Sequence, residues 1–596
     1  MLTEAAQRRI AQWLAADADP AGKREVRRLL ARGDETELED RFGSDLVFGT
    51  GGLRGLMEAG TNRMNDYTVA RATQGLANYI RRHRRRGGRV AIAHDSRHNS
   101  RTFAKTAASV LAGNGIDVSL FRQLRPTPLL SFAVRHLGCI SGIVITSSHN
   151  PKEYNGYKAY WKDGAQVTPP HDEGIIAEVA RIDSADKIRR MDFETAVDRG
   201  RVEQAGAEVD RAYLKAIRSE SLHPKIPGEM AGKFRIVYTP LHGAGGTMVP
   251  KALRDWGWTD VTVVPSQAKP DGNFPTCETP NPEEPEALAE AIALARQSDA
   301  DLVLANDPDG DRTGIAVRAA KGRYRLITGN QLGAMLTEYI CRERRAQDLM
   351  PERPLVVSTI VTSDLAEKIG AHYGVAVEET LTGFKWICSK GRENEERARR
   401  GEAAKQFLLG FEESYGFAVG TTARDKDGIV TSCIVAEMAA FERSRGRSLF
   451  DLLDSIEMRH GAHIEQQVAQ FYEGLDGARK MERIMAGLRE RPPREIGGLR
   501  VEAVGDVLEG RWTPLTNVSP WRGAIDLPRS NVLMFCLEGG SKVHARPSGT
   551  EPKIKFYFNL CDTTGAPYAK KSDLQTARRR LKETLKRVKD DFLRLT

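Results

Sequence analysis

One hexapeptide, T-S-S-H-N-P at residues 146–151, constrains this chain more than any other feature. It directly follows the apolar run G-I-V-I at residues 142–145, which is typical of a strand buried on both faces. Open α/β sheets place their chemistry just beyond the carboxyl ends of parallel strands. The sequence therefore predicts a parallel sheet that presents the hydroxyl of Ser148 at its carboxyl edge.

The neighbours of Ser148 do not favour an ordinary catalytic triad, because adjacent side chains such as His149 rarely face the same atom. Ser148 could instead carry a phosphoryl group, which would add about −1.5 to −2 charge and three acceptor oxygens. Such a group requires a cation and basic anchors nearby. Both are found further along the chain, and His149 is kept as a candidate catalytic residue.

An acidic turn supplies the candidate cation site. Asp307, Asp309 and Asp311 alternate along the chain, and alternate residues in a turn can direct three carboxylates at one point. An EF-hand calcium loop would need Gly at its sixth position and Glu at its twelfth, where this chain has Arg312 and Arg318. Three carboxylates with few other protein oxygens leave room for a phosphate oxygen, which suits Mg2+.

Three further loops carry groups that suit a phosphorylated ligand. Residues 542–552 (K-V-H-A-R-P-S-G-T-E-P) combine a guanidinium, hydroxyls and glycine N–H groups, as a phosphate cradle does. Residues 410–416 (G-F-E-E-S-Y-G) could bind sugar hydroxyls. Residues 48–55 (F-G-T-G-G-L-R-G) match a dinucleotide fingerprint poorly, since Arg54 occupies its third glycine position, and NAD binding is rejected. That loop is either a phosphate-binding loop or a plain tight turn.

Composition limits the possible partners and compartments. The net charge of +9 suits a small anionic substrate. An arginine-dense run at residues 81–89 contains no aromatic residue, so we interpret it as a solvated helix end and expect no nucleic-acid partner. No apolar stretch approaches the roughly 18 residues that span a bilayer. Seven scattered cysteines without a C-x-x-C pair favour reduced thiols and a cytoplasmic location.

The order of strand and helix patterns predicts the fold class and the domains. The class is α/β: three consecutive α/β mixed-sheet domains plus a smaller C-terminal α+β domain around a central cleft. We expect the phosphoserine loop in residues 1–210, the metal loop in 211–325, the sugar-binding loop in 326–451 and the phosphate-binding loop in 452–596. Helices are expected over about the first 40 residues.

Four motifs follow one another along the chain in this order: T-S-S-H-N-P, D-P-D-G-D-R, G-F-E-E-S and R-P-S-G-T-E-P. In this order the chain resembles the α-D-phosphohexomutase superfamily over nearly its whole length. The segment G-T-G-G-L-R-G followed by A-G-T-N-R-M-N is similar to the longer phosphoglucomutase branch. That branch includes phosphopentomutases and a sugar-bisphosphate synthase.

The resemblance implies a role for each motif. Ser148 would be the phosphoserine, and Mg2+ would be held by the acidic turn together with the serine phosphate; the implied metal ligands are Ser148, Asp307, Asp309 and Asp311. Proton handling or electrostatic support would come from Arg54, Lys158 and Lys426. The implied substrate-binding residues are Arg97, Thr382, Gly383, Lys385, Glu412, Ser414, Arg546, Ser548, Gly549 and Thr550.

The implied reaction is a reversible phosphoryl transfer between C1 and C6 of glucose phosphate, with glucose 1,6-bisphosphate as intermediate and activator. Tyr415-Gly416 follows Ser414 where mannose-accepting members often have G-H, which favours a glucose or pentose substrate. The expected partner is a phosphosugar, without nucleic acid or membrane, and the expected assembly is a monomer or weak dimer.

Three alternatives to this reaction stay open. A phosphopentomutase or a sugar-bisphosphate synthase would share the fold. A metal-dependent phosphomonoesterase would use the same serine, metal and arginines to release inorganic phosphate.

Two other classes of protein fit the sequence less well. A catalytically silent sugar-phosphate-binding protein is disfavoured because each chemical loop retains its reactive residue. A P-loop kinase is excluded because the motif G-x-x-x-x-G-K-[ST] is absent.

Overall fold

The computed structural model describes residues 2–15, 20–48, 52–83, 87–472, 474–517, 519–548 and 553–596, apart from the side chains of 474–476 and 478. The chain forms two compact units. The first unit comprises the residues up to Ile327 together with Tyr415–Phe441, and the second comprises Thr328–Ser414 together with Glu442–Thr596.

The first sheet of the first unit carries the serine loop. Its strands are β1 (Gly52–Leu56), β2 (Arg89–His94), β3 (Asp117–Phe121), β4 (Ser141–Ile145), β5 (Tyr154–Trp161) and β6 (Val202–Ala205). They lie in the order β1-β5-β4-β2-β3-β6. Strands β4, β2, β3 and β6 are parallel, whereas β5 runs antiparallel to β4 and to β1. The helices are α1 (Glu4–Ala15), α2 (Pro20–Arg32), α3 (Glu35–Phe42), α4 (Asp66–His83), α5 (Ser100–Gly113), α6 (Thr127–His136), α7 (His171–Ala180) and α8 (Phe193–Asp198).

Apolar patterning explains this arrangement. All five residues of β4 are buried, as expected for a central parallel strand. Val69 and Leu76 of α4 pack into the same core as Val90 and Ile143 of the sheet. Each fully buried aliphatic side chain of this kind contributes about 1.5–3 kcal/mol relative to exposure. The helices predicted over the first 40 residues are confirmed as α1–α3, which have a small core of their own.

The second sheet of the first unit carries the acidic turn. Its strands are β7 (Ile236–Thr239), β8 (Val261–Val263), β9 (Leu302–Asn306), β10 (Thr313–Arg318) and β11 (Tyr324–Ile327), in the order β11-β10-β9-β7-β8. Strands β8, β7 and β9 are parallel, and β9 and β10 form an antiparallel hairpin. The acidic turn connects these two strands. The accompanying helices are α9 (Ala207–Arg218), α10 (Ile226–Glu229), α11 (Val249–Trp256), α12 (Pro265–Ala268) and α13 (Ala289–Gln297).

The second unit begins with three parallel strands, of which the first in sequence lies between the other two. Its elements are α14 (Gly329–Ala346), β12 (Pro354–Thr359), α15 (Leu365–Tyr373), β13 (Ala376–Thr380), α16 (Phe384–Arg399) and β14 (Gln406–Glu412). The chain then contributes β15 (Gly416–Val419) and most of α17 (Gly428–Ser444) to the first unit.

The elements of the C-terminal part of the second unit are α18 (Leu449–His460), β16 (Ala462–Phe471), α19 (Gly474–Glu490), β17 (Glu495–Ile496), β18 (Leu499–Asp506), β19 (Arg511–Pro514), β20 (Gly523–Ala524), β21 (Leu533–Leu537), β22 (Lys542–Pro547), β23 (Lys553–Asp562) and α20 (Lys571–Arg594). The strands form an antiparallel sheet in the order β16-β23-β22-β21-β18-β19-β20, with β17 paired to β18. Helix α20 buries Leu574 and Phe592 against this sheet. The predicted α/β class with a C-terminal α+β region is confirmed.

The interpretation of residues 48–55 as a loop is wrong for residues 52–55. Gly52–Leu56 forms strand β1 and pairs antiparallel with β5, with Arg54 opposite Gly156. A Cβ on Gly52 would lie 1.9 Å from the carbonyl oxygen of Tyr157, so glycine is needed here for close approach of two strands. Residues 49–51 lie outside the described residues.

None of the helices in the described part of the chain is long and apolar enough to cross a membrane.

The close approach of β1, β5 and the chain after β4 generates a stability prediction. A Cβ on Gly156 would lie 2.5 Å from the carbonyl oxygen of Thr146 and 2.8 Å from that of Leu53. We expect Gly156→Ala to lower the free energy of unfolding by about 1–3 kcal/mol, because both obstacles are backbone atoms. Denaturant unfolding followed by circular dichroism measures this change.

Gly228→Ala is the matched control for Gly156→Ala. Gly228 lies in helix α10 of the same unit, and its added Cβ would meet no atom within 4 Å. We expect no loss of stability there, because alanine is the better helix former. Equal stability of the two variants would contradict the proposed close approach.

Candidate active site

The serine turn is held in a strained backbone conformation just past strand β4. Ser148 has φ of 52°, in the left-handed region that residues other than glycine rarely adopt. Its backbone N–H donates to Thr146 Oγ1 at 2.8 Å, and its side chain is buried. Strain of this kind persists only where the surroundings hold it, and it is often found at functional sites.

The fold brings Ser148 to the acidic turn, although the two are 159 residues apart in sequence. Ser148 Oγ donates a hydrogen bond to Asp307 Oδ2 at 2.6 Å. The other oxygen of Asp307 accepts from the backbone N–H groups of Asp311, at 3.1 Å, and Arg312, at 3.0 Å. The carboxylate is therefore oriented by its own turn and directed at the serine.

The three carboxylates of the acidic turn form a potential metal site. Asp307, Asp309 and Asp311 are buried, and each offers an oxygen within 4.8 Å of the others. Within the described residues, Asp309 Oδ1 and Asp311 Oδ1 are buried without a hydrogen-bond partner. A buried, unpaired carboxylate oxygen is costly, and an all-oxygen donor set suits a hard divalent cation. The residues present therefore fit a metal ion.

The pKa shifts of the carboxyl groups in the acidic turn also favour a bound cation. Burial raises the pKa of Asp307 well above its usual range, and the neighbouring charges of Asp309 and Asp311 raise it further. Burial also acts against ionisation of Asp309, but the ammonium of Lys158 and the hydrogen bonds to this carboxylate, including that from Thr127, together keep that pKa low. A bound divalent cation would favour the ionised form of all three carboxyl groups.

Two lysines balance the acidic turn. Lys158, on strand β5, places Nζ 2.7 Å from Asp309 Oδ2 and 3.1 Å from Asp311 Oδ2. Lys426 places Nζ 3.3 Å from Asp311 Oδ2 and 3.3 Å from Asp425 Oδ1. Burial opposes ionisation of Lys158, yet the carboxylates raise its pKa, so this group stays an ammonium. The structure thus places both predicted lysines beside the predicted metal ligands.

Arg97 binds the backbone of the serine loop. Its side chain is fully buried and donates to the carbonyl oxygens of Ser148 at 2.6 Å and of Pro151 at 2.8 Å, and also to that of Asn150. Asp95 Oδ2 lies 3.4 Å from its Nε. These contacts make Arg97 a positioning residue for the loop, and its predicted contact with substrate stays a prediction.

The expectation that His149 would not face the same atom as its neighbour is wrong. His149 Nδ1 lies 3.3 Å from Ser148 Oγ. The positive φ of Ser148 bends the chain, so that two consecutive side chains converge instead of pointing apart. Arg54 also contacts this loop and donates from Nη1 to Asn150 Oδ1 at 3.4 Å.

Sequence reasoning missed two residues of this site. Thr127, at the start of α6, donates from Oγ1 to Asp309 Oδ2 at 2.9 Å, and its backbone N–H donates to the Asp309 carbonyl at 2.8 Å. No local motif marks Thr127. Asp425 accepts from the Tyr160 hydroxyl at 2.6 Å. Its position beside the predicted Lys426 was the available signal.

The second unit holds the predicted sugar-binding residues at the carboxyl ends of parallel strands. Glu412 is the last residue of β14, and Ser414 follows two positions later. Thr382 and Gly383 connect β13 to α16, and Lys385 is buried in the first turn of that helix. These five residues therefore lie at the same edge of the sheet, beyond the carboxyl ends of β13 and β14.

Glu413 adds a titratable group to that loop. Desolvation raises its pKa to about 7, with the adjacent Glu412 charge adding to the effect. Thr359 Oγ1 donates to Glu413 Oε2 at 3.4 Å. A carboxyl group with this pKa can donate or accept a hydrogen bond near neutral pH.

The predicted phosphate cradle lies at the connection between β22 and β23. Arg546 is in β22, opposite Lys555 of β23, and Ser548 donates from its backbone N–H to the Lys553 carbonyl at 2.8 Å. Gly549 and Thr550 lie outside the described residues.

Another group of metal-ligand type, Asp364, His463 and Cys561, lies in the second unit. Lys368 Nζ is 3.0 Å from His463 Nε2 and 3.3 Å from Asp364 Oδ2. Because an ammonium already supplies the cation there, we interpret this group as a structural ion-pair network rather than as a metal centre.

Comparison with known families agrees with this geometry. Three models of phosphoglucomutase/phosphomannomutase α/β/α domains match the chain: domain I at residues 45–186, domain II at 211–322 and domain III at 328–459. The serine turn falls in the first match, the acidic turn in the second and the Glu412 loop in the third.

Curated relatives cover nearly the whole chain. A phosphopentomutase of Mus musculus is 33% identical over 605 residues, covering 98% of this chain and 94% of the relative. A phosphoglucomutase of Staphylococcus aureus (strain MRSA252) is 35% identical over 535 residues, covering 90% and 93%.

Solved structures share the fold. The open form of pp63/parafusin, a phosphoglucomutase from Paramecium, has a TM-score of 0.64 at 18% identity and covers 92% of this chain and 95% of that one. A phosphoglucomutase/phosphomannomutase family protein from Burkholderia thailandensis has a TM-score of 0.59 at 18% identity, with coverage of 91% and 98%. The domain matches and the relatives together establish that the chain belongs to the phosphoglucomutase/phosphomannomutase family.

Proposed function

We propose that this protein is a phosphosugar mutase of phosphoglucomutase type, which transfers a phosphoryl group between C1 and C6 of glucose phosphate. The transfer would proceed through phosphoserine at Ser148 and glucose 1,6-bisphosphate, which would also serve as activator. The contact that supports this most directly is that of Ser148 Oγ with Asp307 Oδ2, at 2.6 Å. It joins a candidate phosphoryl carrier to a candidate metal site.

The residues that would hold Mg2+ are Ser148, through its phosphate, with Asp307, Asp309 and Asp311. When bound, Mg2+ supplies positive charge that neutralises the oxygens of the transferring group. The buried, unpartnered oxygens of Asp309 and Asp311 support this assignment.

The chain's own groups then handle protons and charge. As the phosphoryl group leaves Ser148, Oγ takes up a proton, and the attacking sugar hydroxyl loses one. Asp307 Oδ2, at 2.6 Å, and His149 Nδ1, at 3.3 Å, are near enough to Ser148 Oγ to hold the proton that Oγ takes up. Lys158, which stays protonated, acts as a fixed positive charge rather than as a base, and Lys426 and Arg54 supply further charge.

Substrate positioning is assigned to the second unit. Glu412 and Ser414 would bind sugar hydroxyls, assisted by Thr382, Gly383 and Lys385. The non-reacting phosphate would be held by Arg546, Ser548, Gly549 and Thr550. The proposed domains are residues 1–210, 211–325, 326–451 and 452–596, each contributing one loop.

A second candidate is phosphopentomutase, which would exchange phosphate between C1 and C5 of ribose or deoxyribose. The relative from Mus musculus carries that name and aligns over 98% of this chain, which supports keeping this candidate. The Tyr415-Gly416 pair after Ser414 does not separate hexose from pentose.

Replacing the serine tests the phosphoryl carrier. We expect Ser148→Ala to lower kcat by at least about 10³-fold, because the nucleophile is lost. Intact-protein mass spectrometry, with peptide mapping, should find one phosphoryl group on the wild type and none on the variant.

Ser147→Ala is the matched control for that experiment. Ser147 is adjacent and fully buried, and its hydroxyl has no hydrogen-bond partner among the described residues. This variant should keep the phosphoryl group and most of its activity. Normal turnover in Ser148→Ala would remove the phosphoserine role.

Metal removal tests the acidic turn. We expect EDTA to stop turnover and Mg2+ to restore it. We also expect Mg2+ to raise the thermal midpoint of the wild type, because a ligand bound only to the folded state stabilises it by about 2.7 kcal/mol at 100 times its Kd. Asp311→Asn should lose this shift, since it removes a ligand charge.

Asp364→Asn is the control for the metal experiment, since it removes the carboxylate of the other group of metal-ligand type, Asp364, His463 and Cys561. It should retain the full thermal shift with Mg2+. An undiminished shift in Asp311→Asn would contradict metal binding at the acidic turn.

A substrate comparison separates the related activities. With glucose 1,6-bisphosphate present, we expect kcat/KM for glucose 1-phosphate to exceed that for ribose 1-phosphate by roughly tenfold or more, a difference of about 1.4 kcal/mol in transition-state binding. The reverse preference would establish the phosphopentomutase. Release of inorganic phosphate without isomerisation would instead indicate the phosphomonoesterase.

A further inference from the structure

A cavity of about 310 Å³ in the first unit is lined by none of the residues assigned above. It opens at the carboxyl ends of the parallel strands β2 and β3, where open α/β sheets commonly bind ligands. Strand β6 and helices α5 and α8 complete it. Its floor is apolar and is formed by Ala104, Leu120, Phe121, Val197 and Val202.

The rim of this cavity is basic. Arg101, at the start of α5, and Arg122, just after β3, are exposed. Neither guanidinium makes a hydrogen bond or an ion pair with another residue of the described chain. Lys105 also lines the cavity, with Nζ 4.4 Å from the Phe193 ring centroid and 3.6 Å from Glu194 Oε1. Three cations and one carboxylate leave a net positive charge, which favours an anionic ligand.

A buried histidine supplies a polar group on the cavity wall. His94, the last residue of β2, is only 7% exposed and lines the cavity. Its Nδ1 lies 2.9 Å from the Asp95 carbonyl oxygen, which can only accept, so Nδ1 carries the proton. Burial lowers the pKa of His94, and the ring is therefore neutral near pH 7. Nε2 is left as an acceptor with no hydrogen-bond partner in the described part of the chain.

We propose that this cavity is a second binding site, for a small phosphomonoester that carries a free hydroxyl group. Arg101 and Arg122 bind the phosphate, and His94 Nε2 accepts a hydrogen bond from the hydroxyl. A phosphate dianion matches the two guanidinium groups in charge, and its oxygens can accept hydrogen bonds from both. The volume is at the lower end of the range for ligand sites, which limits the ligand to a compact molecule.

This site is separate from the serine turn in its residues and in its chemistry. None of its lining residues is a metal ligand or a candidate catalytic or sugar-binding residue. Arg97, which lies between His94 and Arg101 in sequence, does not line the cavity. Its guanidinium donates to the carbonyl oxygens of the serine loop. The proposal therefore does not depend on the proposed function.

The test uses glycerol 3-phosphate, a phosphomonoester with free hydroxyl groups that lacks a sugar ring. Isothermal titration calorimetry of the whole chain should detect its binding. We expect the double variant Arg101→Ala/Arg122→Ala to bind it at least about tenfold more weakly, because charge-assisted hydrogen bonds are lost. Both arginines are exposed, so the variant should fold, and circular dichroism verifies this.

Arg254→Ala/Arg296→Ala is the matched control, since these exposed arginines lie on α11 and α13 of the same unit. It loses the same charge and should bind glycerol 3-phosphate as the wild type does. Methyl phosphate, which has no hydroxyl, should bind the wild type about fivefold or more weakly than glycerol 3-phosphate. Absence of binding to the wild type, equal binding by both double variants, or equal affinity for the two probes would each overturn the proposal.

Discussion

The concentration of negative charge at the acidic turn is the constraint on which the first unit depends. Three carboxylates lie with oxygens within 4.8 Å of one another and are almost wholly removed from water. Uncompensated charges of this kind cost several kcal/mol per ion, so the surrounding fold has to supply opposite charge. Lys158 and Lys426 do so from two distant parts of the chain. The remaining unpaired oxygens are those that a divalent cation would take.

The same charge cluster explains how the serine is held. Ser148 reaches Asp307 only because its backbone adopts a left-handed conformation, and such a conformation costs about 1–3 kcal/mol. Arg97 offsets this cost by binding several carbonyl oxygens of the loop, and Asp95 in turn supports Arg97. A pre-formed loop of this kind can keep one hydroxyl beside a cation site before any substrate binds, which is what phosphoryl transfer requires.

The family relationship connects these local features with one type of reaction. Members of the phosphoglucomutase/phosphomannomutase family are isomerases, and a mutase must bind one substrate in two orientations. In this chain the groups proposed for that task are divided between the two units. The fixed charges and the serine are in the first unit, whereas the predicted sugar-binding and phosphate-binding loops are in the second. The basic cavity beside β2 is lined by none of these groups, and for this reason we propose a further ligand for it.

Much of the fold and of the site could be predicted from sequence, because short segments carry their own signals. Apolar runs marked the strands that precede the serine turn and the acidic turn, and β4 and β9 are confirmed as fully buried strands. The motifs themselves identified Ser148 and the three aspartates. The glycine-rich segment was misread, since Gly52 serves a strand pairing with β5 that no local pattern reveals.

The sequence by itself therefore determined the chemical groups and the family, because both reside in contiguous residues. Only the tertiary structure decided which groups meet. The order of strands in the sheets brings Ser148 to Asp307 across 159 positions, and it also brings in Thr127, which no motif marks. The backbone angle at Ser148 turned His149 toward the same hydroxyl, against expectation. Contacts of this kind depend on sheet order and on a single dihedral angle, and neither is encoded in the spacing of residues along the chain.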